Sequence, residues 1–159
     1  MQSRDILQFA RATFDRQSFS QLIGAELKDL SDMRAVVEVV LRSELRQQHG
    51  YAHGGVLSYL ADNAITFAGG VALSGDALTA EFKINYVTPA SGPLLRAIAE
   101  PVSVSGRQAV CQCRIISLAD DEETLVALAQ GTVARLPSNH QRTMRASDQG
   151  DLTGATPPD

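Results

Sequence analysis

Between Gln47 and Gly70 a glycine-rich loop, QQHGYAHGG, runs straight into VLSYLADNAITFAGG, and this junction constrains the fold more than any other stretch of the chain. The second part is apolar on most sides through Val56, Leu57, Leu60, Ala61, Ala64, Ile65, Phe67 and Ala68. That pattern predicts a helix buried around most of its circumference, which the rest of the chain must wrap. The loop that feeds it leaves a cluster of free backbone N–H groups at the positive end of the helix dipole. Such a turn suits a negatively charged oxygen. Asp62 stands in the middle of this apolar segment, too far along to cap its N-terminus. An ionised carboxylate needs a compensating partner in a dry core, so Asp62 either lies on a solvated stripe or does chemistry.

Ser58, Asp62 and Thr66 recur at every fourth residue and gather with Asn63 into one narrow polar stripe. A stripe that simply faces water is the plain reading of that periodicity. Distance adds a constraint, because Asp62 lies roughly 10 Å along the helix from Gly55 at the standard rise. One chain cannot bring the carboxylate and the loop N–H groups together. Two such helices packed antiparallel about a two-fold axis would place Gly55 of one subunit beside Asp62 of the other. The sequence therefore predicts a homodimer with shared sites.

These residues resemble the hotdog-fold acyl-CoA thioesterases of the PaaI-like, 4-hydroxybenzoyl-CoA thioesterase type. The resemblance rests on His53-Gly54-Gly55, on Asp62 nine residues after that histidine within LADNA, and on the later segment AEFKINYVTPA. It spans Phe19 to Leu136. The family pattern opens with an amide six residues before the histidine, usually Asn. Gln47 keeps the amide and moves it by about one methylene, and Gly50 follows at the family's glycine position.

The resemblance implies an enzyme that hydrolyses a small or medium acyl- or aryl-CoA thioester to the free acid and CoA. The Gly55 N–H would polarise the thioester carbonyl, and Asp62 of the partner would act as general base on a water or attack directly. Thr79 falls where the family often orients the attacking water with a hydroxyl, and Gln47 where the amide meets substrate or nucleophile. His53 takes either a catalytic part or a bracing one, since an imidazole in a tight loop readily bonds the backbone. Gly54, Ser58, Tyr59, Asn63 and Phe67 are placed at the substrate, and Arg107 near the CoA phosphates, where a guanidinium suits the geometry. An exposed turn cation is the plain alternative for Arg107. The resemblance also implies a dimer of dimers, and no cofactor.

The rest of the chain reads as a sheet around the helix, an α+β hotdog domain with five to six mostly antiparallel strands. Residues 1–18 form an N-terminal helix, with Ile6, Leu7, Phe9, Ala10 and Phe14 at helical spacing, and residues 19–136 the hotdog domain. Arg34 to Leu41 is dense in valine, and Leu78 to Val87 alternates, with Leu78, Ala80, Phe82, Ile84 and Tyr86 expected on one side. Leu94 to Val104 and Gln108 to Leu118 are long strands meeting at Ser105-Gly106-Arg107. After a polar turn at Asp120 to Glu123, Leu125 to Leu136 forms the last strand. Residues 137–159, rich in Ser, Thr, Gly and Pro, form an expected flexible and dispensable tail.

A net charge of −4 over 159 residues offers no basic surface for nucleic acid. No apolar run approaches a membrane span, and the N-terminus lacks a signal-peptide core, which places the protein in the cytoplasm. Cys111 and Cys113 alternate on one strand face and match neither a disulfide within a strand nor a zinc pattern. A metal held by His49, His53 and Asp62 is disfavoured by the glycines that make the histidine segment a loop, so no metal site is expected. A non-catalytic acyl-CoA binding protein would need an output domain, and a dehydratase on this fold sets its histidine and acid otherwise.

Overall fold

A computed structural model of the chain describes residues 3–137, so the expected tail beyond Pro137 lies outside the described residues. The element order is α1 (Ser3–Phe14), α2 (Ser18–Ile23), β1 (Ala25–Leu30), β2 (Ala35–Val40), a short 3₁₀ turn (Ser43–Leu45), α3 (Gly54–Ala72), β3 (Ala77–Tyr86), β4 (Leu94–Ser105), β5 (Gln108–Ala119) and β6 (Glu122–Arg135). The strands form one six-stranded sheet in the order β1-β2-β4-β5-β6-β3, with every neighbouring pair antiparallel. β4 and β5 join through Gly106-Arg107, and β5 and β6 through Asp120-Asp121. Among the described residues no helix is long and apolar enough to cross a membrane.

The sheet curls around α3. Leu60, Ala61, Ala64 and Ile65 of the helix are wholly buried, and so are Leu95, Ala97, Ala99, Cys111, Ile115 and Val133 of β4, β5 and β6. Ala61, Ala64, Ala68 and Gly69 on the buried helix face let the sheet approach closely. Gly69 takes this furthest: a Cβ there would lie 2.7 Å from the Cβ of Val133. Burial of these side chains stabilises the fold by roughly 25 cal/mol per Å² of apolar surface removed from water.

Two expectations about faces are corrected. On α1 the buried stripe is Ala10 and Phe14 with Leu7 partly covered, while Phe9 is 65% exposed. At 100° per residue Phe9 points away from the other three. Phe14 is fully buried, with its ring 5.5 Å from that of Phe67. On β3 the register against β6 shifts between Thr79 and Glu81, so Ala80 is an extra residue. The bulge inverts the alternation before it: Thr79 shares the inner face with Phe82 and Ile84, whereas Leu78 is 59% exposed.

The sequence reading did not place α2 or β1. α2 is closed by Gly24 in the left-handed conformation (φ 71°), and Arg42 donates to the carbonyls of Leu22 and Ile23 at the same end. Arg11 similarly reaches from α1 to the carbonyls of Leu27 and Lys28 on β1. Two arginines thus fasten the N-terminal helices to the sheet edge.

Candidate functional site

The loop before α3 is folded by its own polar groups. The Gln47 N–H donates to the Tyr51 carbonyl at 2.8 Å, and Gly50 turns the chain at φ 84°. Oε1 of Gln47 accepts the His49 N–H at 2.7 Å, so half of the predicted substrate amide shapes the turn. His53 is the N-cap of α3, and its Nδ1 accepts the Gly55 N–H at 3.0 Å. The N–H expected to be free for a carbonyl is therefore engaged, and the bracing reading of His53 is realised in this conformation. The preceding N–H, that of Gly54, has no such side-chain acceptor among the described residues.

Two grooves flank this first turn. One, of about 270 Å³, is lined by Phe19, Ile23, Leu45 and Val56 together with His53, Gly55, Glu44 and Arg46. The other, of about 370 Å³, carries Gln47, Gly54, Leu57 and Tyr86 together with the segment from Val87 to Ala90. Gly54 and Gln47 thus share one groove, while Gly55 opens to the other.

Further along α3, the polar stripe is half-buried. Thr66 donates to the Asp62 carbonyl at 2.8 Å, and its hydroxyl lies 2.5 Å from that of Thr79. The bulge in β3 makes this contact possible. Thr79 therefore meets the helix one turn beyond Asp62. Oδ1 of Asp62 and Oδ1 of Asn63 are both buried without a hydrogen-bond partner among the described residues. Buried polar atoms left in that state cost about 1–3 kcal/mol each, which makes the pair an anomaly for an isolated chain.

Of the other predicted residues, Ser58 sits one turn into α3 with its Oγ 2.7 Å from the Tyr86 hydroxyl. Tyr59 donates to Ser20 at 2.6 Å, and Ser20 passes a bond to Gln17 at 2.6 Å. Burial pushes the Tyr59 phenol up, the Ser20 hydrogen bond opposes this, and the nearby Asp62 charge adds to the rise. Tyr59 also packs on Phe19, with ring centroids 5.3 Å apart. Phe67 faces Phe14 and the core. Arg107 is exposed in the β4–β5 turn, and the Arg135 N–H bonds its carbonyl. Since Arg135 pairs with Ala77 at the start of β3, Arg107 lies at the end of the sheet opposite Tyr86 and the first turn of α3.

One chain thus gathers Gln47, His53, Gly54, Gly55 and Ser58 at one end of the helix. It leaves Asp62, Asn63, Thr79 and Arg107 away from them. Sequence reasoning missed Tyr86, which joins Ser58 and the Gly54 carbonyl, although it grouped Tyr86 on one strand face with Phe82 and Ile84. It also missed Phe19 and Ser20, because α2 was not recognised. Among the described residues no group of three or more His, Cys, Asp or Glu converges on one point, and the Nδ1 of His53 faces Gly55.

The sequence profile of the thioesterase superfamily matches residues 49–124. A Listeria monocytogenes 1,4-dihydroxy-2-naphthoyl-CoA hydrolase is 26% identical over 116 residues, covering 72% of this chain and 92% of the relative. A Deinococcus radiodurans protein provisionally named an esterase is 32% identical over 123 residues, covering 76% and 81%. Among solved structures, a thioesterase family protein of Silicibacter pomeroyi superposes with a TM-score of 0.75 at 30% identity, covering 81% of this chain and 96% of that one. The E. coli PaaI protein from the phenylacetic acid degradation operon also gives 0.75, at 24% identity, over 85% and 96%.

Proposed function

The chain belongs to the thioesterase superfamily and is a thioester hydrolase of the hotdog fold, and from that premise we propose that it cleaves a small or medium acyl- or aryl-CoA at sites shared between two subunits. The observation that carries this reading is the pair of buried, unpartnered oxygens on Asp62 and Asn63. Asp62 and Asn63 are only half-buried as residues, so a second copy or a substrate packing on their remaining surface can turn these side chains toward a partner. β3 is an edge strand, and Tyr86 and Val87 at its end are exposed. Antiparallel pairing of two such edges about a two-fold axis sets the two α3 helices side by side. Asp62 of one subunit then meets the first turn of the other.

In that site the carbonyl donor is the Gly54 N–H, which shares a groove with Gln47. The Gly55 N–H becomes a second donor when His53 turns away. Asp62 attacks the polarised carbonyl or takes the proton from a water that does so, with Thr79 ordering the water. His53 holds the turn, and Ser58, Tyr59, Asn63 and Phe67 shape the acyl pocket with the partner. Arg107, at the far end of its own sheet, serves the CoA phosphates of the substrate bound at the partner's turn. The Listeria relative's naphthoyl-CoA substrate supports an aryl acyl group within this class. The protein works in the cytoplasm, and the dimers pair through the outer sheet face, where Leu128 is exposed.

The test is thiol release from phenylacetyl-, 4-hydroxybenzoyl-, hexanoyl- and palmitoyl-CoA. Turnover of the aryl or hexanoyl members, absent in Asp62→Asn, is the expected result. Exclusive use of palmitoyl-CoA would overturn the acyl class, and full activity in the variant would overturn the role of Asp62.

A further inference from the structure

Two glycines open α3, and each lies against a ring. A Cβ on Gly54 would stand 3.3 Å from the Tyr86 hydroxyl oxygen and 3.4 Å from its Cζ, and one on Gly55 would stand 3.0 Å from the His53 Nδ1. Tyr86 donates to the Gly54 carbonyl at 3.1 Å. With that proton committed, the contact of 2.7 Å between Ser58 and Tyr86 has the Ser58 hydroxyl as donor. A short relay results, from Ser58 through Tyr86 to the Gly54 carbonyl.

The Gly54 carbonyl and the Gly55 N–H belong to a single peptide group. Its N–H is accepted by His53, and its carbonyl is held by Tyr86. Both ends of the plane are fixed by side chains, one from the N-cap and one from the end of β3. The Gly54 N–H lies in the preceding peptide, joined to this plane through the Gly54 Cα, so holding the plane removes one source of motion beside it. A hydrogen bond to an amide oxygen also makes the N–H of that amide a better donor.

We propose that Tyr86 is a positioning residue for thioester hydrolysis, clamping the Gly54–Gly55 peptide against His53 so that the first turn keeps the shape in which the Gly54 N–H meets the substrate carbonyl. This rests on the reading of the first turn as the carbonyl-binding element. Packing within its own chain accounts poorly for the phenol, because Tyr86 is 55% exposed in the single chain and β3 is already laddered to β6 from Ala77 to Tyr86. The two adjacent glycines find their reason here, since a Cβ at either would press on a clamping ring.

The experiment compares wild type with Tyr86→Phe, which keeps the ring and removes the hydroxyl. Loss of one net hydrogen bond predicts a fall of about three- to tenfold in kcat with KM within about twofold. The separating readout is the infrared carbonyl stretch of acyl-CoA bound to Asp62→Asn, with and without Tyr86→Phe. Polarisation by the turn lowers the stretching frequency on binding, and the added Tyr86→Phe substitution is expected to shrink that shift. A shift that survives Tyr86→Phe unchanged overturns the clamp and leaves the site reading standing. Absence of any shift in Asp62→Asn overturns carbonyl polarisation by the turn, and the clamp with it.

Discussion

In the first turn of α3 the polar side chains have found partners within the chain: His53 holds the Gly55 N–H, and Ser58 meets Tyr86. Two turns on, Asp62 and Asn63 each bury an oxygen that meets nothing among the described residues. Both regions lie on one helix and are built from the same kinds of residue. The difference is that the first turn is organised by its own loop and by β3, whereas the side-chain oxygens of the third turn are given no partner by either. A first turn that is complete and a third that is not fits the proposed site divided between copies. On that proposal the carbonyl-binding half is preorganised before assembly, and the carboxylate acquires its surroundings on assembly.

The largest effect is expected where the comparison is starkest. Asp62→Asn is nearly isosteric and leaves the orphaned position polar, so the fold and the dimer should persist. Removing a base or nucleophile should still lower turnover by roughly 10²- to 10⁴-fold. Thiol release beside circular dichroism and size-exclusion chromatography checks this. Near wild-type turnover would return the stripe to a solvated helix face.

A second test breaks the comparison at its premise that the halves come from different subunits. Gly54→Val would place bulk against Tyr86, since even a Cβ there stands 3.3 Å from the hydroxyl, and would inactivate the first turn. Co-refolding it with Asp62→Asn gives hybrids in about half of the dimers, each with one intact site, so about a quarter of wild-type activity should return. If both halves served one site within a chain, no hybrid would contain an intact site and the mixture would stay inactive.

A third test isolates the rest of the helix as scaffold. Gly69→Ala pushes a methyl to 2.7 Å from the Val133 Cβ in a buried contact. Overpacking of this sort costs about 1–3 kcal/mol, read as a lower unfolding midpoint in urea, with kcat retained below the transition. A fall in kcat as large as that of Asp62→Asn would mean that the catalytic half is sensitive to packing, and the contrast between scaffold and chemistry would fail.

The same division explains what was legible in the sequence. The buried helix, its polar stripe and the long hairpins of β4, β5 and β6 follow from local periodicity, so their residues announce them. The facing of β3 does not, because the bulge at Ala80 leaves no mark in the alternation of Leu78, Ala80 and Phe82, and it alone brings Thr79 to Thr66. The engaged Gly55 N–H was equally hidden: whether His53 turns its ring onto the helix is a rotamer choice that the HGG motif does not encode. α2 was missed because its six residues are too few for a period, although Gly24 marks its end. Tyr86 was read only as one more residue in the strand's alternation, since only the three-dimensional path carries it over Gly54.

The smallest expected effect probes the dry side of α3, opposite in character to its polar stripe. Cys111 and Cys113 lie on β5 beneath the helix, and burial pushes their thiols up to about 11 and about 12. For Cys113 a backbone hydrogen bond at Ile98 and the Arg114 charge pull slightly the other way, and the neighbouring Cys111 adds to the rise. An unfolded thiol titrates near 8.5. The folded pKa is therefore raised, so the contribution to stability is fully present below about pH 8.5 and is lost as pH climbs toward the folded values. Between pH 8 and pH 9 the loss should be roughly 1 kcal/mol for the pair, a window that ends before Tyr59 begins to titrate. Urea unfolding midpoints at the two pH values measure it, with Cys111→Ala/Cys113→Ala as reference. The wild-type midpoint should fall with pH and that of the variant should stay nearly level. Equal slopes in the two proteins would mean that water reaches β5 under the helix, and the contrast between a dry face and a polar stripe would lose its physical basis.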